Sequence, residues 1–81
     1  MAAGWFLYVI ECVDGTLYTG ITTNPAARFA AHAAGKGARY TRSHPPLRLV
    51  LTEAHPDRSG ASKAEYAFKQ LTAAQKRRRV G

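Results

Sequence analysis

Trp5-Phe6-Leu7-Tyr8-Val9-Ile10-Glu11-Cys12-Val13-Asp14-Gly15-Thr16-Leu17-Tyr18-Thr19-Gly20-Ile21-Thr22 is the stretch on which the fold turns. Aromatic and β-branched residues crowd both flanks of Val13-Asp14-Gly15, which predicts a β-hairpin. Loop length decides what the hairpin presents. A two-residue Asp14-Gly15 turn pairs Val13 with Thr16 and sends Tyr8 and Tyr18 to opposite faces, since side chains alternate with period two. A three-residue loop with Gly15 left-handed in a bulge sets Cys12 against Thr16 and makes the two tyrosines diagonal neighbours on one face. The odd-numbered loop is the expectation adopted.

Downstream, Asn24 caps a helix, Pro25 opens it, and Gly35 stops it after an alanine-rich run, giving a first helix over roughly 25–34. The segment 35–46, rich in Gly, Pro and positive charge, reads as a surface loop. Leu47-Arg48-Leu49-Val50-Leu51-Thr52 supplies a third strand, and 55–58 an exit loop. A second helix starts at Ser59 or Ser62 and runs to about Gln70, with Ala61, Ala64, Phe68 and Leu71 as its buried stripe. Thr72-Ala73-Ala74-Gln75 has the form of a fresh capping box, preceding a short helix or turn and a basic tail over 76–81 that can fray. The order β-β-α-β-α-α gives the α/β class, with a small three-stranded antiparallel sheet covered by two to three helices, because so small a sheet is not stable uncovered.

At 81 residues with 46% apolar side chains the chain supports one domain over 1–81, as a polypeptide this short buries only about 60 to 65% of its unfolded surface. No segment approaches the roughly 20 apolar residues of a membrane span, so no membrane partner is expected. Met1-Ala2-Ala3-Gly4 lacks the basic and apolar regions of an export signal, so cytoplasm is the expected location. Cys12 is the sole cysteine, so an internal disulfide is excluded and a small buried hydrophobe expected there. Twelve Lys and Arg against five Asp and Glu give a net charge of +7, which favours a polyanion and first of all nucleic acid.

Four groups of residues carry candidate chemistry. Arg28 and His32, four apart on the first helix, make either a phosphate site or a solvated polar face. Ser62-Lys63-Ala64-Glu65 matches a capping box, yet Glu65 also borders the buried stripe, where a carboxylate needs a cation such as a metal or an arginine. Tyr8 and Tyr18 serve either a core or a site. Tyr40, between Arg39 and Arg42, either stacks on a base or lies flat on the protein. His44 and His55 receive no role. Acids are too few and scattered for two metals, and a single magnesium, needing one carboxylate plus phosphate oxygens, is the most that fits.

Taken in order, these residues resemble the GIY-YIG nuclease superfamily, and especially its short stand-alone bacterial members. Phe6-Leu7-Tyr8 and Tyr18-Thr19-Gly20 stand where the two signature triplets belong, Arg28 and His32 follow on the first helix, and 35–42, Asp57-Arg58-Ser59, Ala64-Glu65-Tyr66 and Lys69-Gln70-Leu71-Thr72 are similar to blocks of the small subfamily. The resemblance implies a metal-dependent endonuclease, a phosphodiester hydrolase acting on DNA in preference to RNA, in repair or processing. It implies Tyr8 and Tyr18 as an active-site pair, with the choice of base left open. Arg28 would neutralise the phosphate, His32 would bond a tyrosine or phosphate, and Glu65 would hold a single Mg2+ or Mn2+. Gly20 would admit backbone close to substrate, and Lys36, Arg39, Tyr40 and Arg42 would bind nucleic acid. The sequence departs from the family in having Phe6-Leu7 in the first triplet and no late asparagine, with Gln70 or Lys69 as replacements. Specificity would come from substrate shape, from a protein partner, or not at all. The competing readings are a non-catalytic basic nucleic-acid-binding module and a protein-interaction domain docking through its basic tail.

Overall fold

A computed structural model describes residues 4–81, so the expectation drawn from Met1, Ala2 and Ala3 lies outside the described chain. Trp5–Cys12 (β1) and Leu17–Thr22 (β2) form the hairpin, with Tyr8 opposite Gly20 and Ile10 opposite Tyr18. Cys12 N–H donates to Thr16 O at 2.8 Å and Gly15 N–H to Cys12 O at 2.9 Å. The loop is thus the three-residue one, and Gly15 sits at φ +86°, where a Cβ is strained. Asp14 Oδ1 holds the turn by accepting from Thr16 N–H at 3.1 Å and from its hydroxyl at 2.7 Å.

Pro46–His55 (β3) pairs antiparallel with the other edge of β1, giving the order β2-β1-β3. It is longer than the expected 47–52 because β1 offers partners all the way from Trp5 to Cys12. A register shift sets Val9 opposite Leu51 and Ile10 opposite Leu49, which returns Leu49 to the face of Ile10. That face carries a cluster of Tyr8, Ile10 and Cys12, with Tyr18, Phe29 and Leu49 packed against it. Cys12 is buried, as expected of a small hydrophobe. Leu7 and Val9, of opposite parity along β1, are fully buried beneath the other face.

Pro25–Ala33 (α1) begins on the Asn24 cap, whose Oδ1 accepts from Ala27 N–H at 3.1 Å. The segment read as an uninterrupted loop contains a helix, Arg39–Ser43 (α2), which corrects that reading. Five residues cannot announce themselves by periodicity, and α2 owes its order to tertiary contacts of Tyr40 and Thr41. Arg58–Lys69 (α3) starts on Asp57, which accepts from Gly60 N–H at 2.8 Å, so Glu65 falls inside the helix and not at its cap. Of the expected stripe, Ala61 and Phe68 are buried while Ala64 and Leu71 are partly so.

Ala73–Val80 (α4) follows the Thr72/Gln75 capping box, both of whose hydrogen bonds form. The basic tail is therefore helical, which corrects the expectation of a frayed end. Arg77 Nη1 reaches Glu11 Oε2 at 2.8 Å, Arg77 Nη2 donates to Gly15 O, and Arg79 Nη2 meets Glu53 Oε2 at 3.0 Å. Glu11 and Glu53 share the face of Leu7 and Val9, so α4 helps α3 close that side while α1 and α2 close the tyrosine side. The order is β-β-α-α-β-α-α, with four helices where two to three were expected. The α/β class and the three-stranded antiparallel sheet are as read from the sequence. No helix among the described residues is long and apolar enough to cross a membrane.

The turn geometry makes a measurable demand. Gly15→Ala forces a left-handed conformation on a residue with a side chain and should cost about 1 to 2 kcal/mol. Urea unfolding, read as a shift of midpoint at constant slope, checks this.

Candidate nucleic-acid interface

Tyr8 and Tyr18 share one face as the loop demands, with ring centroids 6.3 Å apart. Only Tyr18 reaches the surface, because Tyr8 is 1% exposed. Its ring lies flat over Gly20, where a Cβ would stand 2.5 Å from the phenol oxygen. The expectation was that Gly20 admits substrate; what approaches it in the folded chain is Tyr8. Three residues along α1 from Phe29, His32 turns inward and bonds Tyr8 Oη through Nε2 at 3.0 Å. Its Nδ1 lies 2.7 Å from Thr41 Oγ1, which donates to Ala38 O at 2.9 Å. Ala38 N–H also donates to Nδ1 at 3.3 Å, so the imidazole ties Tyr8 to both Ala38 and Thr41. His32 was expected to bond a tyrosine or a phosphate, and in the folded chain its Nε2 meets the Tyr8 hydroxyl.

Electrostatics agree with this wiring. Burial pushes the Tyr8 phenol above its ordinary 10.0, against the pull of the adjacent Arg28 guanidinium. Burial, helped by Arg28, likewise lowers His32, so the imidazole is neutral near pH 7. A phenol held in its protonated form inside the core is poorly placed to serve as a base at neutral pH. Arg28 is half-buried beside Tyr8, and Glu65 influences the phenol most weakly of the groups around it. Glu65 lies instead against Lys69 Nζ at 3.1 Å, one turn along α3.

Residues 36–44 are arranged around aromatic rings. Tyr40 stacks on Tyr18 at 5.7 Å and 22°, and on His44 at 4.2 Å and 19°, so the three rings run as a column with Tyr40 in the middle. Tyr18 meets His32 edge-on at 5.1 Å, fixing the inner end. His44 Nδ1 lies 2.6 Å from Asp14 Oδ2, fixing the outer one to the hairpin loop. His44 therefore has a structural part that the sequence did not disclose, and so does His55, paired with Glu53 at 2.9 Å. Thr41 and Gly37 were also missed. A Cβ at Gly37 would collide with His32 Nδ1, and nothing short of the folded contact marks either position.

The charges separate by place. All five acids are engaged: Glu11 by Arg48 and Arg77, Asp14 by His44, Glu53 by His55 and Arg79, Asp57 by the α3 backbone, and Glu65 by Lys69. Among the described residues, Arg28, Lys36, Arg39 and Arg42 form no ion pair, and Lys36, Arg39 and Arg42 are exposed. Residues 25–44 thus carry four cations and no acid, while Arg58, Lys63, Lys76 and Arg78 on α3 and α4 also form no ion pair.

Residues 4–78 match the model of the GIY-YIG catalytic domain, and the chain belongs to that family. Within it the chain belongs to the UPF0213 proteins. It is 60% identical over 74 residues to one from Desulfotalea psychrophila, spanning 90% of this chain and 67% of that one. A UPF0213 protein of Cupriavidus pinatubonensis is 57% identical over 72 residues, covering 89% and 80%. The solution structure of a UPF0213 protein from Bacillus halodurans superposes with a TM-score of 0.60 at 45% identity, over 94% of this chain and 81% of that one. A protein from E. faecalis, also solved in solution, gives a TM-score of 0.58 at 40% identity, covering 95% and 81%. Relation to the GIY-YIG fold is consistent with nucleic-acid binding in general.

The expectation of a magnesium-dependent endonuclease, a hydrolase of DNA repair, is corrected by these findings. The matching relatives, from Desulfotalea to Streptococcus sanguinis, are named UPF0213 proteins, a name that assigns no activity, and not nucleases. Among the described residues no three His, Cys, Asp or Glu side chains gather to hold a metal ion.

The anchor of the aromatic column has a pH signature. His44 and Thr16 hold the Asp14 carboxyl at about 2, below its ordinary 3.8. Its contribution to stability is therefore complete above about pH 4 and is lost as pH falls through about 2. Asp14→Asn should flatten the stability profile in that acid window, and thermal melts of both proteins between pH 2 and 7 check it.

Proposed function

We propose that this protein is a non-catalytic nucleic-acid-binding module, taking DNA in preference to RNA, with its contact surface on α1, α2 and the intervening segment. The observation that carries the reading is that residues 25–44 hold Arg28, Lys36, Arg39 and Arg42 and no Asp or Glu. Each acid has a partner elsewhere or in the hairpin loop, and among the described residues none of these four cations forms an ion pair, although Arg58, Lys63, Lys76 and Arg78 on α3 and α4 are also without one. Cations so placed release the counterions condensed on phosphates, which supplies affinity without reading sequence. Tyr40, 36% exposed, offers an aromatic edge amid those cations. The hydrogen-bonded line from Tyr8 through His32 to Thr41 acts here as a scaffold that holds α2 against the sheet. Any sequence preference would be supplied by a protein partner.

Fluorescence anisotropy of labelled DNA at several salt concentrations tests the proposal. Affinity should fall steeply with salt, and Arg39→Ala with Arg42→Ala should reduce the slope by about 0.9 for each phosphate that is no longer neutralised. Without divalent ions, Glu65→Ala should bind as the parent does, and no products should form with any metal. Salt-independent binding, or none, would sink the reading.

A single magnesium at Glu65 is proposed separately, as one carboxylate with waters and phosphate oxygens suffices for this ion. It would have to displace Lys69 Nζ. Calorimetric titration of Mg2+ into the protein–DNA complex should give heat that Glu65→Gln abolishes; equal heats from both proteins argue against a site there.

A further inference from the structure

We infer that the nucleic acid this surface takes is single-stranded DNA, with one unpaired base stacked on the open side of His44 at the end of the Tyr18–Tyr40–His44 column. The inference rests on the binding reading above and specifies its substrate. Three nearly parallel rings, at 22° and 19° to their neighbours, already form a stack that stops at a half-exposed imidazole. The side chain of His44 is 35% exposed although both ends of the column are tied down, by His32 at Tyr18 and by Asp14 at His44. A platform immobilised in this way loses little freedom when another ring is added. Stacking also tolerates any base, since each has a π-face. Arg39 and Arg42, on either side of Tyr40 in α2, are unpaired cations placed to hold the adjoining phosphates.

Duplex DNA cannot use the column along its length, because its base faces are covered by each other. α2 has five residues, and α4, the most basic helix, turns Arg77 and Arg79 onto Glu11 and Glu53 of the sheet, leaving Lys76 and Arg78 as its cations without an ion pair among the described residues. The cations beside the column, Arg39 and Arg42, accompany a ring-stacking device.

The test measures binding of the full chain to a single-stranded oligonucleotide and to a blunt duplex of equal length, at one salt concentration. The single strand also carries 2-aminopurine as a reporter of stacking. The single strand should bind more tightly, with quenched reporter fluorescence. His44→Ala should weaken it roughly five- to 150-fold, the range for one base–aromatic stack, while changing duplex binding less than about twofold. His44→Phe also loses the contact with Asp14 but keeps a flat ring, so it should retain the preference and the quenching. Asp14→Asn, which keeps the imidazole, should do likewise, and far-UV circular dichroism confirms that each variant is folded. Equal affinity for both forms, or equal behaviour of His44→Ala and His44→Phe, overturns the inference while leaving Arg39- and Arg42-dependent binding intact. Binding of neither form overturns the binding proposal as well.

Discussion

One extra residue in a turn sets the layout of this molecule. With Val13, Asp14 and Gly15 all in the loop, Cys12 faces Thr16, and every even-numbered side chain of β1 shares a face with those of β2. Tyr8 then lies across Gly20, beside Tyr18 and under α1, where His32 can reach its hydroxyl. A loop one residue shorter would move Tyr18 to the side closed by α3, and neither the Tyr8–His32 bond nor the aromatic column could form. The left-handed Gly15 is thus the local condition for the remote arrangement of α2.

From that hairpin the packing divides into two differently built sides. The side closed by α3 and α4 joins a buried apolar layer, Leu7 and Val9, to ion pairs at its margin. There acids of the sheet meet arginines of the terminal helix. The tyrosine side is instead held by hydrogen bonds and ring contacts running through His32, Thr41, Tyr18 and Tyr40. Residues 25–44 contain no acid, and the four cations of this side have no acidic partner among the described residues. Buried polar groups fully satisfied in this way give α2 a defined position despite its five residues.

The residues that resemble a nuclease centre do come near one another, and their surroundings give them different properties. Tyr8 is buried and raised, Glu65 leans on Lys69, and the relatives bear a family name without an activity. Residue identity at a motif position is visible in one dimension. Protonation, exposure and pairing depend on what else is within a few ångströms, which the motif positions do not record.

Read alone, the sequence determined the hairpin and its loop, the helix starts at Asn24 and Thr72, the buried Ala61 and Phe68, and the family. Each of these depends on interactions within a few residues, on hydrophobic period or on an ordered set of motifs. It did not determine α2, the docking of Arg77 and Arg79, the His44–Asp14 pair, or the bond between His32 and Thr41. Those join residues up to 66 positions apart, as in Arg77 and Glu11, and only the folded chain brings them together. Tertiary structure also decided which charges stay free, because an arginine in a sequence carries no sign of whether a carboxylate will meet it.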